Sequence, residues 1–389
     1  MRPFEFNPGN TAISYGIGRS KSVGGDVLRL SGQNKAVLVT DPGLVQIGLA
    51  GEVSTALEAE GIEVYLFDDV QSDPSSQSID KAAEAIRSFG AKCVVGLGGG
   101  SAMDVAKCAG LVAGDSHPAE HYALMANTFA PKVISSIMIP TTSGTGAEVT
   151  STVVFSNREQ RKVWGWSSDL APDLAILDPT LTVALPPHLT AATGLDALVH
   201  AIEACAGQRS NPLILSYGLQ AIRLISCSLQ QAIRQPNDLE ARGNLSVGAA
   251  LAGLSIELGG TGIAHCIGHA LGTLARVHHG RAVSIALNAV YHWNVAGNIS
   301  VHADIARALG VNGTGMSEDE LALAGAAKFG ELITSSKLKT SLEDEGITTA
   351  EIERFVDIML SAENEPMLNN NCRLATHEDL NRFALQILA

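Results

Sequence analysis

In the first half of the chain, short runs of β-branched and apolar residues alternate with longer segments that have helical periodicity. We predict strands at the apolar runs and helices at the periodic segments. Strands that alternate with helices imply right-handed crossovers and a mainly parallel sheet. The predicted strands are 35–40, 63–67, 93–97 and 133–139, and the predicted helices are 48–60, 78–89 and 103–112.

The second half of the chain has a different pattern. The strand signal fades after Asp178-Pro179, and from about Leu189 onward Ala- and Leu-rich helical patterns follow one another, separated by Gly, Pro and Asn. We place a domain boundary near Pro186-Pro187, because two prolines break any continuing element. The predicted fold class is α/β plus all-α, with an α/β domain at 1–186 and an all-helical domain at 187–389.

Composition narrows the class of protein. The 389 residues are 46% apolar and 17% charged, which is typical of a folded globular chain with a large core. The net charge of −14 argues against nucleic-acid and anionic-membrane partners. Residues 1–10 lack the apolar core of a signal peptide, and the cysteines form no CxxC pair, so we expect a cytoplasmic protein with reduced thiols.

Two predicted strands end in turns rich in glycine and hydroxyl groups. Gly98-Gly99-Gly100-Ser101 lies between a strand and a helix, where backbone N–H groups can hold a phosphate. The spacing Gly96-x-Gly98-x-x-Ser101 lacks the last glycine of GxGxxG, so a tight turn without a ligand is the alternative. Thr141–Thr145 is a second such turn, and strand ends of this kind line the ligand crevice of open parallel sheets. Together the turns predict a nucleotide.

Asp41 follows an earlier strand and could accept hydrogen bonds from an adenosine ribose. The same carboxylate would repel the additional phosphate of NADP, so the sequence predicts NAD as the cofactor. This prediction rests on Asp41 alone. A turn-forming Asp before Pro-Gly explains Asp41 equally well.

The second half contains a cluster of candidate metal ligands. Two pairs of these residues are four positions apart, which places each pair on one helix face about one turn apart. A surface hydrogen bond is the alternative for one pair. Two pairs in apolar surroundings favour iron or zinc, because buried His and Asp need partners. Spacing leaves open which four bind among Asp196, His200, His265, His269, His278 and His279. On a helix Cys266 points about 100° away from its neighbour, which favours core packing for its thiol.

Four segments resemble the iron-dependent (group III) alcohol dehydrogenases. GGGSAMDVAK at 98–107 is similar to the family's GGGSxxDxAK, and IPTTSGTGAEVT at 139–150 to its PTTxGTGSEVT. DPTLTVALPPHLTAATGLDALVHAIEA at 178–204 resembles the central motif of the family. GIAHCIGHALGTLARVHHG at 262–280 resembles GxxHxxxHxLGxxxxxxHG. The resemblance covers essentially the whole chain.

This resemblance implies a Rossmann-like dinucleotide-binding domain followed by a helical domain, as in dehydroquinate synthase, with the active site in the cleft between them. It implies NAD, Fe²⁺ (with Zn²⁺ or another divalent ion as alternatives) and a small primary alcohol or aldehyde. His269 becomes a catalytic proton relay, and His278 has no role. The implied metal ligands are Asp196, His200, His265 and His279. The implied cofactor-binding residues are Asp41, Gly98, Gly99, Gly100, Ser101, Asp104, Thr141, Thr142, Ser143, Thr145 and Lys162.

The chain departs from the family pattern at two places. Asp73-Pro74 stands where many members have Asn-Pro, and Asn371-Cys372-Arg373 stands where the family tail often reads NPR. Neither departure touches the implied metal ligands. Maleylacetate reductases, which work without metal, usually lack the full Asp/His set, so its presence argues against that branch.

Two other enzyme classes remain as alternatives. A lyase like dehydroquinate synthase would need several basic residues for a phosphorylated substrate, and only Arg276 and Arg281 lie near the metal candidates. A hydroxyacid–oxoacid transhydrogenase would keep its cofactor bound. We expect an NAD(H)-dependent, metal-dependent alcohol dehydrogenase or aldehyde reductase that forms a homodimer or a higher homo-oligomer.

Overall fold

The computed structural model describes residues 11–159 and 161–389. These residues form two compact units, one that ends at Leu185 and one that comprises Pro186–Ala389. The assignment of nucleotide binding to the first unit and metal binding to the second stays a prediction here. The N-terminal residues 1–10, where we expect no signal peptide, lie outside the described residues.

The first unit contains the strands of the described chain. They are β1 (Ala12–Tyr15), β2 (Lys35–Val39), β3 (Glu63–Phe67), β4 (Cys93–Gly98), β5 (Ser135–Pro140), β6 (Thr152–Ser156), β7 (Lys162–Trp166) and β8 (Leu174–Leu177). Six of them form one sheet in the order β1-β8-β5-β4-β2-β3, and every neighbouring pair is parallel. The remaining two, β6 and β7, form an antiparallel hairpin. The predicted parallel sheet is therefore confirmed.

Helices cover both faces of this sheet. The helices of the unit are α1 (Val23–Ser31), α2 (Pro42–Gln46), α3 (Leu49–Ala59), α4 (Ser76–Phe89) and α5 (Gly100–Ala113). Alternate residues of β2 enter different cores: Val37 and Val39 pack with α4 and α5, whereas Ala36 and Leu38 pack with α1 and α3. Burial on both faces explains why β2, β4 and β5 are continuous apolar runs in the sequence.

Some boundaries and elements differ from the sequence prediction. Helix α5 begins at Gly100 and not at Met103, so the glycine run belongs to the strand end and the first turn of the helix. The hairpin β6–β7 was not predicted, although Val153, Val154 and Phe155 form a short apolar run in β6. β1 and β8 were missed because each has only four residues.

The second unit is helical, as predicted. Its helices are α6 (Pro187–Ala206), α7 (Pro212–Arg234), α8 (Leu239–Gly259), α9 (Ile263–Ala275), α10 (His279–Val295), α11 (Ile299–Ala308), α12 (Glu318–Ser336), α13 (Ile352–Met359), α14 (Glu365–Asn370) and α15 (His377–Leu388). Helix α6 packs against α7, α8 and α10, and its residues from Thr190 to Ala206 are buried except Thr193. Small residues allow this close approach: a Cβ on Gly194 would lie 2.6 Å from Leu229 of α7.

Judged by length and composition alone, helix α7 could cross a membrane. The same holds for the strongly bent pair α8–α9 when the two helices are taken as one segment. The apolar face of α7 supplies Ala221, Ile222 and Ile225 to the core of the helical unit. Helices α8 and α9 supply Leu245 and Ile267 to the same core. The hydropathy of these segments is therefore explained by core packing.

The cysteines are all free thiols, as predicted. Cys93, Cys108, Cys205 and Cys266 are buried, Cys372 is partly buried and Cys227 is exposed. Cys266 lies in the helical core with its thiol directed to the carbonyl oxygen of Met359, which agrees with the packing role expected for it.

His302 on α11 gives a pH-dependent prediction for stability. Burial lowers its pKa to about 4. The unfolded chain therefore binds this proton near pH 6.5 and the folded chain only near pH 4, so stability falls as pH drops through that window. The full contribution is about 3 kcal/mol. We expect His302→Leu to reduce the loss of unfolding free energy between pH 7 and pH 4.5, measured by urea titration. Replacing the exposed His188 with Gln should leave the pH profile unchanged, and equal profiles for the wild type and His302→Leu would contradict the assignment.

Candidate functional site: an Asp/His cluster and a strand-end loop set

Four of the candidate ligands come together inside the helical unit. Asp196 and His200 lie one turn apart on α6, His265 lies in the first turn of α9, and His279 is the first residue of α10. One ligand atom from each residue lies within 4.8 Å of the other three. The structure thus assembles residues that are 83 positions apart, between Asp196 and His279, around one point.

The carboxylate of Asp196 lies at the centre of this arrangement. Its Oδ1 atom is 3.6 Å from Nε2 of His279, 3.9 Å from Nε2 of His265 and 4.0 Å from Nε2 of His200. These separations are too long for good hydrogen bonds. Two ligands placed about 2.1 Å from one tetrahedral ion are about 3.4 Å apart, so the observed spacing suits an ion better than direct contact.

The hydrogen bonding of two buried polar atoms in the cluster also favours a bound cation. Oδ1 of Asp196 and Nε2 of His265 are buried, and neither has a hydrogen-bond partner within 11–159 and 161–389. A buried carboxylate oxygen and a buried imidazole nitrogen left in this state cost several kcal/mol. Three imidazoles and one carboxylate are the donors that iron and zinc accept. The residues present therefore fit a divalent metal ion.

Close helix packing brings His279 to the cluster. A Cβ on the next residue, Gly280, would clash with the carbonyl oxygen of Ala192 on α6 and lie 3.2 Å from Cβ of Asp196. Only glycine lets the start of α10 approach α6 this closely. The His-Gly order in the sequence therefore has a steric cause.

The two other histidines lie outside the four-atom group. The His269 ring is partly exposed, with its centroid 5.4 Å from that of His279 and 6.2 Å from that of His265. His278 is exposed and precedes the first residue of α10, as expected for a residue without a role at the cluster. The structure thereby separates the six candidates, which the spacing left equivalent.

Sequence reasoning missed Glu203, a buried residue on α6. One of its carboxylate oxygens lies 2.6 Å from Nδ1 of His265, and the carboxylate also accepts hydrogen bonds from the backbone N–H groups of Gly262 and Ala264. The available signal was an acidic residue in an otherwise apolar stretch, seven positions after Asp196 and therefore on the same helix face.

In the first unit, the predicted cofactor loops meet at the carboxyl ends of β2, β4 and β5. A Cβ on Gly98, whose φ is +149°, would lie 2.8 Å from Ala102 and 3.5 Å from the Asp41 carboxylate. A Cβ on Gly100 would lie 2.8 Å from the Thr145 methyl group. Thr142 lies against Gly99 in the same way, at 3.6 Å. The glycines thus leave a space between the loops that side chains would fill, and α5 begins there.

The structure gives several of the predicted cofactor residues protein partners. Oδ1 of Asp41 accepts a hydrogen bond from the Leu44 N–H and caps α2, so the turn-forming role is real. Nζ of Lys162 pairs with Oδ1 of Asp73 at 3.0 Å. Thr141 and Ser143 are buried at the end of β5, and Ser101 is partly buried in the first turn of α5. Contact of these residues with a cofactor stays a prediction.

A buried charge network supports the loop after β5. Asp104 on α5 pairs with Nζ of Lys107 at 3.1 Å and accepts a hydrogen bond from the Val154 N–H. Lys107 also donates to the carbonyl oxygens of Thr150 and Thr152. Burial raises the pKa of Glu148, in the same loop, to about 7. Sequence reasoning missed Lys107 and Glu148, although charged residues in the apolar stretches of α5 and its neighbouring loop were a signal.

Together, the doubly covered parallel sheet, its strand-end loops and the Asp/His cluster define a class of two-unit oxidoreductases. A family model described as iron-containing alcohol dehydrogenase matches residues 10–179. A second one, described as the C-terminal part of the Fe-containing alcohol dehydrogenase family, matches residues 190–387. The chain belongs to the iron-containing alcohol dehydrogenase family, and the resemblance drawn from the motifs is confirmed.

Individual relatives agree with this placement. The chain is 36% identical to choline dehydrogenase of Bacillus subtilis, over 89% of this chain and 86% of that protein. A crystal structure of 1,3-propanediol oxidoreductase matches with a TM-score of 0.93 and 30% identity, over 99% of this chain and 100% of that one. Sulfoacetaldehyde reductase from Bifidobacterium kashiwanohense, solved in complex with NAD⁺, matches with a TM-score of 0.88 and 28% identity, over 100% and 99%.

Membership of this family makes the protein an oxidoreductase that acts on CH–OH groups, as the sequence predicts. It also supports the predicted fold class, since the solved relatives superimpose over nearly the whole chain. The lyase alternative loses its support, because both halves of the chain match alcohol dehydrogenase families.

Proposed function

We propose that this protein oxidises a small primary alcohol with NAD, or reduces the corresponding aldehyde with NADH, and that Fe²⁺ is held by Asp196, His200, His265 and His279. The observation that carries the proposal is the four-atom group around Oδ1 of Asp196, for which residues 11–159 and 161–389 provide no hydrogen-bond partner. Zn²⁺ suits the same donor set and is the alternative ion.

The cation supplies Lewis acidity toward the substrate oxygen when it is bound. The chain's own residues hold the cation and shield it from bulk water, because Asp196, His200 and His265 are all buried. His269 acts as the proton carrier in this proposal. Its support is a partly exposed ring next to His279, together with the ability of imidazole to exchange protons near neutral pH.

The strand-end loops hold the cofactor in this proposal. The N–H groups at the start of α5, which begins at Gly100, offer partial positive charge to a pyrophosphate. Gly98, Gly99 and Ser101 belong to the same turn. Thr141, Thr142, Ser143 and Thr145 line the neighbouring strand end. Asp41 lies next to Gly98, after the end of β2. Asp104, which pairs with Lys107, and Lys162, which pairs with Asp73, act at the margin of the proposed cofactor site.

The substrate is a small primary alcohol or aldehyde. The named relatives act on choline, 1,3-propanediol and sulfoacetaldehyde, which are cationic, neutral and anionic molecules that each carry a primary alcohol or an aldehyde group. This variety supports the class of substrate and leaves its charge open. A homodimer or higher homo-oligomer and a cytoplasmic location complete the proposal.

Metal dependence tests the proposed function directly. Metal-stripped protein should show almost no NADH oxidation with a panel of small aldehydes, and Fe²⁺ should restore it, measured by absorbance at 340 nm. A mixture of a hydroxyacid and an oxoacid, assayed beside the aldehydes, tests the transhydrogenase alternative. Conversion of that pair without net NADH change would favour the transhydrogenase, and equal rates before and after stripping would refute a metal-dependent reaction.

Single ligand substitutions test the assignment of the cluster. We expect His265→Ala or His279→Ala to abolish turnover and most metal retention while NADH binding survives, because each removes one of four donors. Metal content is measured by mass spectrometry and cofactor binding by NADH fluorescence. His278→Ala removes the exposed neighbouring histidine and should behave as wild type. A metal-loaded, fully active His279→Ala enzyme would contradict the ligand assignment.

Cofactor choice tests the role of Asp41. We expect Asp41→Gly to raise kcat/KM with NADPH about tenfold or more, because it removes a like-charge contact worth about 1–4 kcal/mol. Glycine is also an acceptable cap for α2, so the helix should persist. Asp41→Asn keeps the cap and removes only the charge, and it should gain NADPH use as well. Unchanged kcat/KM with NADPH in both variants would rule out this role.

A further inference from the structure

Glu203 is a buried acidic residue that joins two elements of the proposed metal site. It lies on α6, three positions after His200, and only 4% of it is exposed. Its side chain reaches the start of α9, where it accepts hydrogen bonds from the N–H groups of Gly262 at 2.9 Å and Ala264 at 2.6 Å. The third group in reach is Nδ1 of His265, also at 2.6 Å.

The chemistry of these contacts determines which nitrogen of His265 carries the proton. A carboxylate accepts hydrogen bonds and donates none, and its two oxygens already receive two backbone N–H groups. Nδ1 of His265 must therefore be the donor. In a neutral ring this leaves Nε2 with its lone pair, and Nε2 is the atom that lies 3.9 Å from Asp196. The contact with Glu203 thus prepares His265 as a ligand.

The same carboxylate also holds the backbone that carries His265. Gly262 precedes α9, and a Cβ there would lie 2.8 Å from Oδ1 of Asn371 and 3.0 Å from an oxygen of Glu203. Asn371 accepts a hydrogen bond from the Ile263 N–H beside it. The start of α9 is therefore fixed by two acceptors, Glu203 and Asn371, and only Glu203 also reaches the imidazole.

We propose that Glu203 is the positioning residue of the metal site, which fixes the tautomer and direction of His265 so that Nε2 faces the cation. This role rests on the proposed function, because it requires that His265 binds a metal ion. A carboxylate behind a metal-bound histidine commonly changes metal affinity 10- to 100-fold when it is removed.

The first experiment compares metal affinity in three forms of the full-length protein. Zn²⁺ is titrated into the metal-stripped proteins by calorimetry. We expect Glu203→Gln to bind Zn²⁺ about 10- to 100-fold more weakly than wild type, because its amide can place a donor opposite Nδ1. Asn371→Ala removes the other acceptor at the start of α9. It should unfold at a lower temperature and still bind Zn²⁺ as wild type does.

The outcomes separate this role from the metal site itself. A wild-type protein that binds no Zn²⁺ would refute the proposed site, and the role of Glu203 with it. Wild-type and Glu203→Gln proteins of equal affinity would refute only the role of Glu203. An equal loss of Zn²⁺ affinity in Glu203→Gln and Asn371→Ala would show that Glu203 only caps the start of α9 and does not position His265.

A second measurement tests the proposal even if Glu203→Gln does not fold, because it does not need that variant. Histidine ¹⁵N NMR of metal-free wild-type protein at pH 8 reports which ring nitrogen carries hydrogen, and His265→Gln assigns the signal. We expect a protonated Nδ1 and an unprotonated Nε2 for His265. A ring that carries its proton on Nε2 would overturn the proposal.

Discussion

The candidate site of the helical unit is built around one constraint, a buried carboxylate placed among three imidazoles. Oδ1 of Asp196 has no hydrogen-bond partner in the described part of the chain, and three histidine nitrogens lie 3.6–4.0 Å away. A buried anion of this kind is costly unless a cation compensates it. The packing of α6 against its neighbours, with glycine at the closest approaches, brings the four candidate ligands to one point.

The buried polar side chains next to the candidate site residues form hydrogen bonds with backbone groups as well as with other side chains. Glu203 accepts two N–H groups at the start of α9 as well as the His265 ring, and Asn371 accepts a third N–H. In the first unit the buried Lys107 donates to the carbonyl oxygens of Thr150, in the loop after β5, and of Thr152, at the start of β6. Each of these buried charges therefore also fixes a segment of backbone next to the candidate site residues.

The two units contain different sets of candidate site residues. The glycine turns of the first unit leave space beside a helix start, which favours an anionic cofactor. The helical unit provides donors that suit a divalent cation. An oxidoreductase of the iron-containing family needs both, and neither set of residues identifies the substrate. That choice depends on side chains that line the remaining space, which the motifs do not include.

The sequence by itself determined the fold class, the change from alternating strands and helices to helices alone, and the family, because these depend on periodicity and on residue order within short segments. It also provided the six metal candidates, but spacing along a helix could not separate His269 from His279 as ligands. The family resemblance implied His279 and left out His269, and the tertiary structure gives a physical reason, because the start of α10 lies against α6 and brings His279 to 3.6 Å from Asp196. Glu203 and Lys107 were not predicted as candidate site residues, although each is a charged residue in an apolar stretch of the sequence. Their partners lie on other elements, 62 positions away for His265 and 43 for Thr150, and burial together with those contacts gives them a role.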